Sequence, residues 1–142
     1  MIFKTKNAPE FYLDEGCFIR EIINVAEIPN ISISQARVEV GQTTELHSLT
    51  GVEIYYILMG EGLVELGSAE KRTVERSDVV YISAGQPQRI QNTGKQDLVF
   101  LCICLPRFRP QDYAPRWLHL SKFCLSSPPG GQPADLTEYL QN

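Results

Sequence analysis

The feature that most constrains the fold of this chain is a succession of short apolar segments that alternate with glycine-rich turns. The clearest are VEIYYILM before Gly60, VVYIS from Val79 and DLVFLCICL up to Leu105. Their β-branched and aromatic residues favour strands, while glycine and proline mark the turns. The pattern amounts to about nine strands at close spacing, with no amphipathic helix. It predicts an all-β protein, either a sandwich or a barrel.

Two segments near the N-terminus carry further detail. Glu10 to Ile23 has the pattern of two short strands around an Asp-Glu-Gly turn. Ile31 to Val40 alternates, but its apolar residues change face part-way along the segment. Such a change of phase allows a β-bulge in this strand.

The length and the change in composition along the chain predict its domain organisation. A chain of 142 residues suits one domain with a proper core. Beyond Pro106 the sequence becomes rich in proline and charge, and Ser126 to Asp135 has the composition of a linker. We therefore expect a barrel with N-terminal strands over residues 1–115 and a partly mobile tail over residues 116–142.

Charge and hydropathy argue against several classes of partner. The net charge is −4 and no basic patch stands out, so we expect no nucleic acid partner. No apolar run approaches the roughly 20 residues that span a bilayer, so we expect no membrane partner. The N-terminal segment lacks the apolar core and cleavage site of a signal peptide. The expected location is therefore the cytoplasm.

The four cysteines are Cys17, Cys102, Cys104 and Cys124, and no CxxC pair occurs. This spacing disfavours a zinc ribbon or a thioredoxin-type site. Cys102 and Cys104 would share one face of a strand and could not easily bond to each other. We interpret the cysteines as reduced, buried and acting as small apolar residues. A redox or catalytic role is the alternative.

The stretch from Gly41 to Gly62 is the expected place for any chemistry. It contains His47, one of the two histidines of the chain, and Glu53 follows six residues later. An imidazole and a carboxylate are groups that transfer protons and bind metals.

This stretch resembles the first motif of the cupin superfamily, G-x5-H-x-H-x3,4-E-x6-G. Four positions follow the motif spacing, namely Gly41, His47, Glu53 and Gly60. The one departure is Leu49, which stands where the family usually has its second histidine.

A later segment resembles the second cupin motif, G-x5-P-x-G-x2-H-x3-N. Gly85 and Asn92 match it. Ser77 and Ser83 replace a glycine and a proline, and Gln88 replaces the third histidine. Sixteen residues separate the two motifs, as in compact single-domain cupins.

The resemblance extends from about Ser32 to Pro106. It implies a double-stranded β-helix, which is a small jelly-roll barrel and is often assembled as a dimer. In that fold the first motif supplies two adjacent strands and the second supplies the facing pair. The side chains of His47, Glu53 and Gln88 would then converge inside the barrel mouth.

The resemblance also implies a site for a divalent transition metal such as Fe, Mn, Ni, Cu or Zn. The implied ligands here are His47, Glu53 and Gln88, since Leu49 cannot ligate. Such a set would hold a metal weakly and leave positions open for substrate. The alternative is a metal-free pocket in which His47 acts as a general acid or base, oriented by Glu53.

Strand alternation supplies further candidates for the pocket. If Glu53 faces inward, Tyr55 and Ile57 do so as well, and Ile90 follows Gln88. Tyr55 is therefore a candidate catalytic residue beside His47, able to donate a hydrogen bond to substrate. The alternative for Tyr55 is a place in the core. Both faces of the last strand are apolar, so its sequence does not determine which face lines the interior.

The segment beyond the barrel mixes arginines with aromatic residues, namely Arg107, Phe108, Arg109, Tyr113, Arg116 and Trp117. We interpret it as a strap whose aromatic rings pack on the barrel while its arginines stay solvated. Anion recognition near the mouth is the alternative. His119 is expected at the surface or at an interface, and a ligand that reaches back to the barrel is the alternative.

Three functions remain open from the sequence. The first is a metal-dependent enzyme, an oxygenase, isomerase or lyase acting on a small molecule in the barrel mouth. The second is a non-catalytic, metal-free module that binds a sugar-like metabolite. The third is a structural or partner-binding protein that uses its tail, and the fold alone does not choose among them. We also expect a homodimer, because exposed β-edges need covering and the strands of Glu10 to Ile23 suit pairing between subunits.

Overall fold

The structure, a computed structural model, describes residues 1–67 and 71–115. Within those ranges it contains eleven strands, two short 3-10 helices at Thr5–Asn7 and Pro110–Asp112, and no α-helix. The strands are β1 (Phe11–Leu13), β2 (Cys17–Ile23), β3 (Ser32–Val38), β4 (His47–Leu49), β5 (Val52–Met59), β6 (Glu61–Leu66), β7 (Lys71–Glu75), β8 (Val79–Ile82), β9 (Gln88–Asn92), β10 (Leu98–Leu105) and β11 (Tyr113–Pro115). In the described ranges, no helix combines the length and the apolar character needed to cross a membrane.

The strands form two antiparallel sheets. The six-stranded sheet has the order β1-β2-β3-β10-β5-β8, and the five-stranded sheet has the order β11-β4-β9-β6-β7. Consecutive strands β4 and β5, and likewise β7 and β8, lie in different sheets, so the chain winds around a shared interior. This is the double-stranded β-helix, or jelly roll, that the sequence predicted.

Strict alternation determines which side chains enter the core. On β5 the buried residues are Glu53, Tyr55 and Ile57, as the alternation predicted. On β10 the inner face consists of Leu98, Phe100, Cys102 and Cys104. The structure thus decides which face of this strand lines the interior, because burial rather than composition distinguishes the two.

The apolar residues of the third strand change face as predicted, but the bulge that this change allowed does not lie in β3. Ser32, Ala36 and Val38 are the buried residues of β3, so the strand keeps one phase and Ile33 lies on the outer face. The irregularity lies instead in its neighbour, where the β2–β3 register shifts between Glu21 and Ile23. Two strands that the sequence did not predict, β4 and β11, are only three residues long and pair with each other.

Two tight turns lie at motif positions of the sequence. Gly60 has φ +84°, and a Cβ atom there would lie 2.7 Å from the carbonyl oxygen of Asp97, so only glycine fits. Ser77 stands where the second motif has a glycine, and it adopts φ +76°. A serine in this left-handed region is strained, because its Cβ atom crowds the following carbonyl.

The described cysteines behave as expected. Cys17, Cys102 and Cys104 are buried and carry free thiols, and burial raises the pKa of each. These thiols remain protonated, which suits a role in packing rather than in nucleophilic chemistry. Cys124 lies outside the described residues, as does the predicted tail.

Candidate functional site

The two motifs bring their polar side chains to the interior from both sheets. His47 on β4 lies opposite Gln88 on β9 in the five-stranded sheet. Glu53 lies on β5 in the six-stranded sheet, and all three residues are buried. The strands of the first motif therefore belong to different sheets and are not neighbours, and its histidine and glutamate approach from opposite walls of the barrel.

Gln88 links the two sheets through both atoms of its amide. Its Nε2 donates to the carboxylate Oε2 of Glu53 at 2.5 Å, and its Oε1 accepts from the hydroxyl of Tyr55 at 2.5 Å. The orientation of the amide follows from chemistry, because an ionised carboxylate only accepts hydrogen bonds and must face the NH2 group. The two polar atoms of the Gln88 side chain are therefore both engaged inside the protein.

The carboxylate of Glu53 is bonded at both oxygens. Besides the bond from Gln88, its Oε1 accepts a contact from the Cys104 thiol at 3.8 Å. Burial raises the pKa of Glu53, while the charge of His47 and the hydrogen bond from Gln88 act in the opposite direction.

The orientation of His47 comes from Glu45 and Tyr113. The Nδ1 atom of His47 lies 2.8 Å from the main-chain carbonyl oxygen of Glu45. A carbonyl oxygen can only accept, so Nδ1 carries a proton, and in the neutral form of the ring Nε2 bears the lone pair. The ring of Tyr113 stacks on the imidazole, with centroids 4.7 Å apart and an interplanar angle of 20°. Glu53, which the sequence suggested as the orienting group, is bonded elsewhere.

The Nε2 atom of His47 is the open polar atom of the site. Only 7% of the residue is exposed, and among the described residues no hydrogen bond to Nε2 occurs. Yet every fully enclosed side-chain nitrogen and oxygen in residues 1–67 and 71–115 has a partner. Nε2 is unbonded within the part of the chain that the structure describes, which makes it a candidate point for a ligand.

Two further carboxylates border His47. Tyr113 donates its hydroxyl to Oε2 of Glu45 at 2.8 Å. The main-chain carbonyl of Glu15 accepts from the amide of Glu45 at 2.7 Å, which joins the β1–β2 turn to the strand entering the site. Burial and the charge of Glu15 raise the pKa of Tyr113. The mouth thus combines three carboxylates, Glu53 included, with one imidazole.

Tyr55, the other predicted catalytic residue, is engaged in the core. It is buried, packs against Phe100 with centroids 4.6 Å apart, and donates its hydroxyl to Gln88. Burial raises its pKa well above the usual value, so the phenol stays protonated. These contacts favour the core interpretation over proton transfer to a substrate.

The residues at the site do not fit the metal centre that the resemblance implies. Residues 1–67 and 71–115 contain no group of three His, Cys, Asp or Glu side chains placed to hold a metal ion. Leu49 has no donor atom, and the Gln88 oxygen already accepts from Tyr55. The remaining donors are the His47 nitrogen and the Glu53 carboxylate, which is already hydrogen-bonded. A typical catalytic zinc site has three protein ligands, so the donors here are too few.

The described part of the strap is engaged in structural contacts. Arg107 donates to Asn24 at 3.0 Å, and Arg109 forms an ion pair with Asp112 at 2.9 Å. Both arginines are therefore occupied, which does not support anion recognition. Arg116, Trp117 and His119 lie outside the described residues.

A cleft of about 480 Å³ lies along β6, β7 and β8, away from His47. Its lining includes Leu66, Arg72, Val79 and Tyr81.

Sequence reasoning did not identify Glu15, Glu45 and Tyr113 as parts of the site. Glu45 acts through its main-chain carbonyl, for which no side-chain pattern exists. Tyr113 arrives from a segment far along the chain, and its position depends on the pairing of β11 with β4. A tyrosine in the strap was the one signal available.

Comparison with known proteins gives a consistent picture of the fold. A family model described as Cupin domain matches residues 34–104, half of the chain. An uncharacterised protein of Methanocaldococcus jannaschii is 39% identical over 105 residues, covering 69% of this chain and 80% of that protein. A Thermotoga maritima protein named oxalate-binding protein is 36% identical over 66 residues, covering 46% of this chain and 54% of that protein.

Among solved structures, a predicted oxalate decarboxylase from Thermotoga maritima aligns with a TM-score of 0.68 at 21% identity. The alignment covers 75% of this chain and 99% of that one. At this identity the likeness is one of fold.

Proposed function

This chain belongs to the cupin domain family, and we propose that it binds a small, uncharged polar molecule at His47 in the barrel mouth, without a bound transition metal. The observation that carries the proposal is the state of His47. Its Nδ1 atom donates to the Glu45 carbonyl, and its Nε2 atom has no hydrogen-bond partner within residues 1–67 and 71–115.

The imidazole is suited to hold one hydroxyl group of a ligand. With the proton fixed on Nδ1, the Nε2 lone pair accepts a hydrogen bond from an O–H donor. The stacked ring of Tyr113 keeps the imidazole in a single orientation, so little rotational freedom is lost on binding. A sugar-like or other hydroxylated metabolite supplies such donors.

The charge of the mouth favours an uncharged ligand. The Glu45 carboxylate accepts from the Tyr113 hydroxyl beside His47, and Glu53 lies on the facing sheet, so a dicarboxylate would meet like charge unless a cation accompanied it. One relative carries the name oxalate-binding protein. We propose that this chain differs from that relative in ligand class, because none of the described lysines and arginines contacts His47, Glu45 or Glu53.

The second candidate is an enzyme of the isomerase or lyase type that uses His47 as a base. The observation that favours it is again the tautomer, because an open Nε2 can take a proton from a bound substrate. This candidate shares the binding site of the first and predicts turnover in addition to binding.

The test combines elemental analysis with thermal shift on protein purified without a metal-chelating tag. Wild type, His47→Ala and the matched control His119→Ala would each be screened against neutral sugars and polyols and against oxalate. Binding to the folded state alone stabilises it by about 2.7 kcal/mol at a hundredfold excess over Kd. We expect a neutral ligand to raise the melting temperature of wild type and His119→Ala but not of His47→Ala.

Two outcomes would overturn the proposal. The first is a near-stoichiometric transition metal that is lost in His47→Ala. The second is stabilisation by oxalate with no response to any neutral ligand. Turnover of a neutral ligand that is lost in His47→Ala would favour the enzyme over the binding module.

A further inference from the structure

The cleft along β6, β7 and β8 enters the barrel from the side, where the two sheets end. β7 is the last strand of the five-stranded sheet and β8 is the last strand of the six-stranded sheet. The volume of about 480 Å³ is within the range of roughly 300–1,000 Å³ that is usual for small-molecule sites. His47 and its neighbours Glu45 and Tyr113 do not line this cleft. It is therefore separate from the mouth.

The floor of the cleft is apolar. Val64 on β6, Val74 on β7 and Val80 on β8 line it, and all three are buried members of the hydrophobic core. Leu66 extends this surface along β6 and packs against the same core. An apolar group that lies on this floor is removed from water, which favours its binding.

The donor groups of the cleft lie together at one of its ends. The amide of Gly67 donates to the carbonyl of Pro87 at 2.7 Å, so the neighbouring Gln86 lies beside the end of β6. Arg72 lies opposite Val64, two residues before that end. The guanidinium of Arg72 and the carboxamide of Gln86 therefore line the same end of the cleft.

These two side chains are suited to bind a carboxylate. Oε1 of Gln86 accepts from the main-chain amide of Ser83 at 3.1 Å, so its NH2 group is the part that can donate to a ligand. Arg72 is exposed, and its guanidinium has five N–H donors in a planar fork. Two of those donors can bind a carboxylate while another keeps a contact within the protein.

The acidic group of the cleft lies at the other end. Asp78 lies in the turn after β7, and its Oδ2 accepts from the amide of Glu75 at 2.8 Å. Arg72 and Glu75 are three residues apart on β7, which corresponds to about 10 Å of strand. A carboxylate beside Asp78 would meet like charge, so the charges of the cleft favour one orientation of an acid.

We propose that this cleft binds a small monocarboxylic acid with an apolar body, such as a medium-chain or aromatic acid. Its carboxylate lies on Arg72 and Gln86, and its body lies on the valines of the floor. This site goes beyond the function proposed for the mouth, because it differs in place and takes an anion rather than an uncharged ligand. Neither proposal depends on the other.

Titration calorimetry of the full chain with phenylbutyrate, and with phenylbutanol as the neutral counterpart, tests the proposal. Arg72→Gln removes the positive charge of the cleft at an exposed position. Arg76→Gln is the matched control, because Arg76 is exposed in the adjacent turn and does not line the cleft. Melting temperatures of both variants verify that they are folded, and the amide resonances of isotope-labelled wild type locate the bound acid.

We expect wild type and Arg76→Gln to bind phenylbutyrate with a Kd below about 1 mM, which a ligand of this size reaches at ordinary efficiency. Arg72→Gln should raise this Kd at least about tenfold, because it removes charge-assisted hydrogen bonds to the carboxylate. Phenylbutanol should bind wild type at least about tenfold more weakly than the acid, for the same reason. The shifted amide resonances should include those of Thr73 and Val79, which line the cleft.

Three results would overturn the proposal. The first is the absence of heat and of resonance shifts when phenylbutyrate is added to wild type. The second is an equal affinity for phenylbutyrate in wild type and Arg72→Gln, or an equal affinity of wild type for the acid and the alcohol. The third is a set of shifted resonances centred on His47, which would assign the acid to the mouth.

Discussion

Gln88 donates a hydrogen bond to Glu53 from the opposite sheet of the barrel, and the same amide accepts one from Tyr55. The position that the cupin motif gives to a metal-binding histidine is thus occupied by a side chain that ties the two sheets together. A buried polar group lowers the stability of the fold unless it is hydrogen-bonded. Here the side chains of Tyr55, Gln88 and Glu53 bond to one another. The substitution of histidine by glutamine changes the role of the position from ligand to cross-barrel link.

Removing the Tyr55 hydroxyl should destabilise the fold. Tyr55→Phe leaves the buried Oε1 of Gln88 without its partner, which costs about 1–3 kcal/mol in the free energy of unfolding. Tyr56→Phe is the matched control, because Tyr56 points outward and is partly exposed. Urea denaturation checks both variants. If Tyr55→Phe lowers the free energy of unfolding no more than Tyr56→Phe does, the stabilising role of the Tyr55–Gln88 hydrogen bond is contradicted.

Replacing Ser77 by glycine should stabilise the protein. Ser77 has φ +76°, a conformation that costs an L-residue about 1–2 kcal/mol and costs glycine almost nothing. Glycine has greater conformational freedom in the unfolded chain, which offsets part of this gain. We therefore expect the free energy of unfolding to rise by about 0.5–1 kcal/mol. Ser83→Gly, at the other serine of the second motif, should bring no gain. The midpoint of chemical denaturation is measured for Ser77→Gly and Ser83→Gly. An equal shift of the midpoint in the two variants would contradict the strain at Ser77.

The contribution of Asp112 to stability should depend on pH. Arg109 holds the pKa of Asp112 below its usual range, and Thr50 donates to the same carboxylate at 2.9 Å. A carboxyl whose pKa is lowered in the folded state stabilises fully above its unfolded pKa of 3.8 and loses that contribution as the pH falls through the folded value. Asp112→Asn should therefore lower the free energy of unfolding by about 1–2 kcal/mol at pH 7. The value is modest because Arg109 is half exposed and solvent screens the ion pair.

The difference in unfolding free energy between wild type and Asp112→Asn should narrow as the pH falls below about 4, because the unfolded wild-type chain then takes up a proton that the folded carboxyl does not. It closes only once the pH has fallen through the lowered folded pKa of Asp112. Unfolding by urea at pH 7 and at pH 3 measures the gap. Asp14→Asn, at an exposed position, serves as the control for general charge effects. A gap of equal size at both pH values would be incompatible with the ion pair as its source.

Removing the Tyr113 ring should uncover His47. Tyr113 stacks on the imidazole, so Tyr113→Ala would expose Nε2 to reagents and raise the rate of modification by diethyl pyrocarbonate severalfold. Peptide mass spectrometry follows the fragment that contains His47. Tyr12→Ala removes an aromatic ring elsewhere and should leave the rate unchanged. The same rate in both variants would mean that β11 does not shield the site.

Much of the fold could be predicted from local pattern. The inner face of β5 and the pairing of Gln88 with Ile90 on one face of β9 follow from alternation, because successive side chains of a strand point to opposite sides. The motif spacing placed His47 and Glu53 in one interior. The short strands β4 and β11 were missed, since three residues give too little pattern to recognise.

What the sequence determined by itself is therefore the all-β architecture, the barrel and the residues that enter it. Only the tertiary structure decided what those residues do. The Glu45 carbonyl fixes the proton of His47, Tyr113 covers the ring, and the Gln88 amide is shared between Tyr55 and Glu53. The physical reason is that periodicity is set by neighbouring residues, whereas a hydrogen bond across a barrel depends on the positions of atoms that the chain brings together only when both sheets have formed.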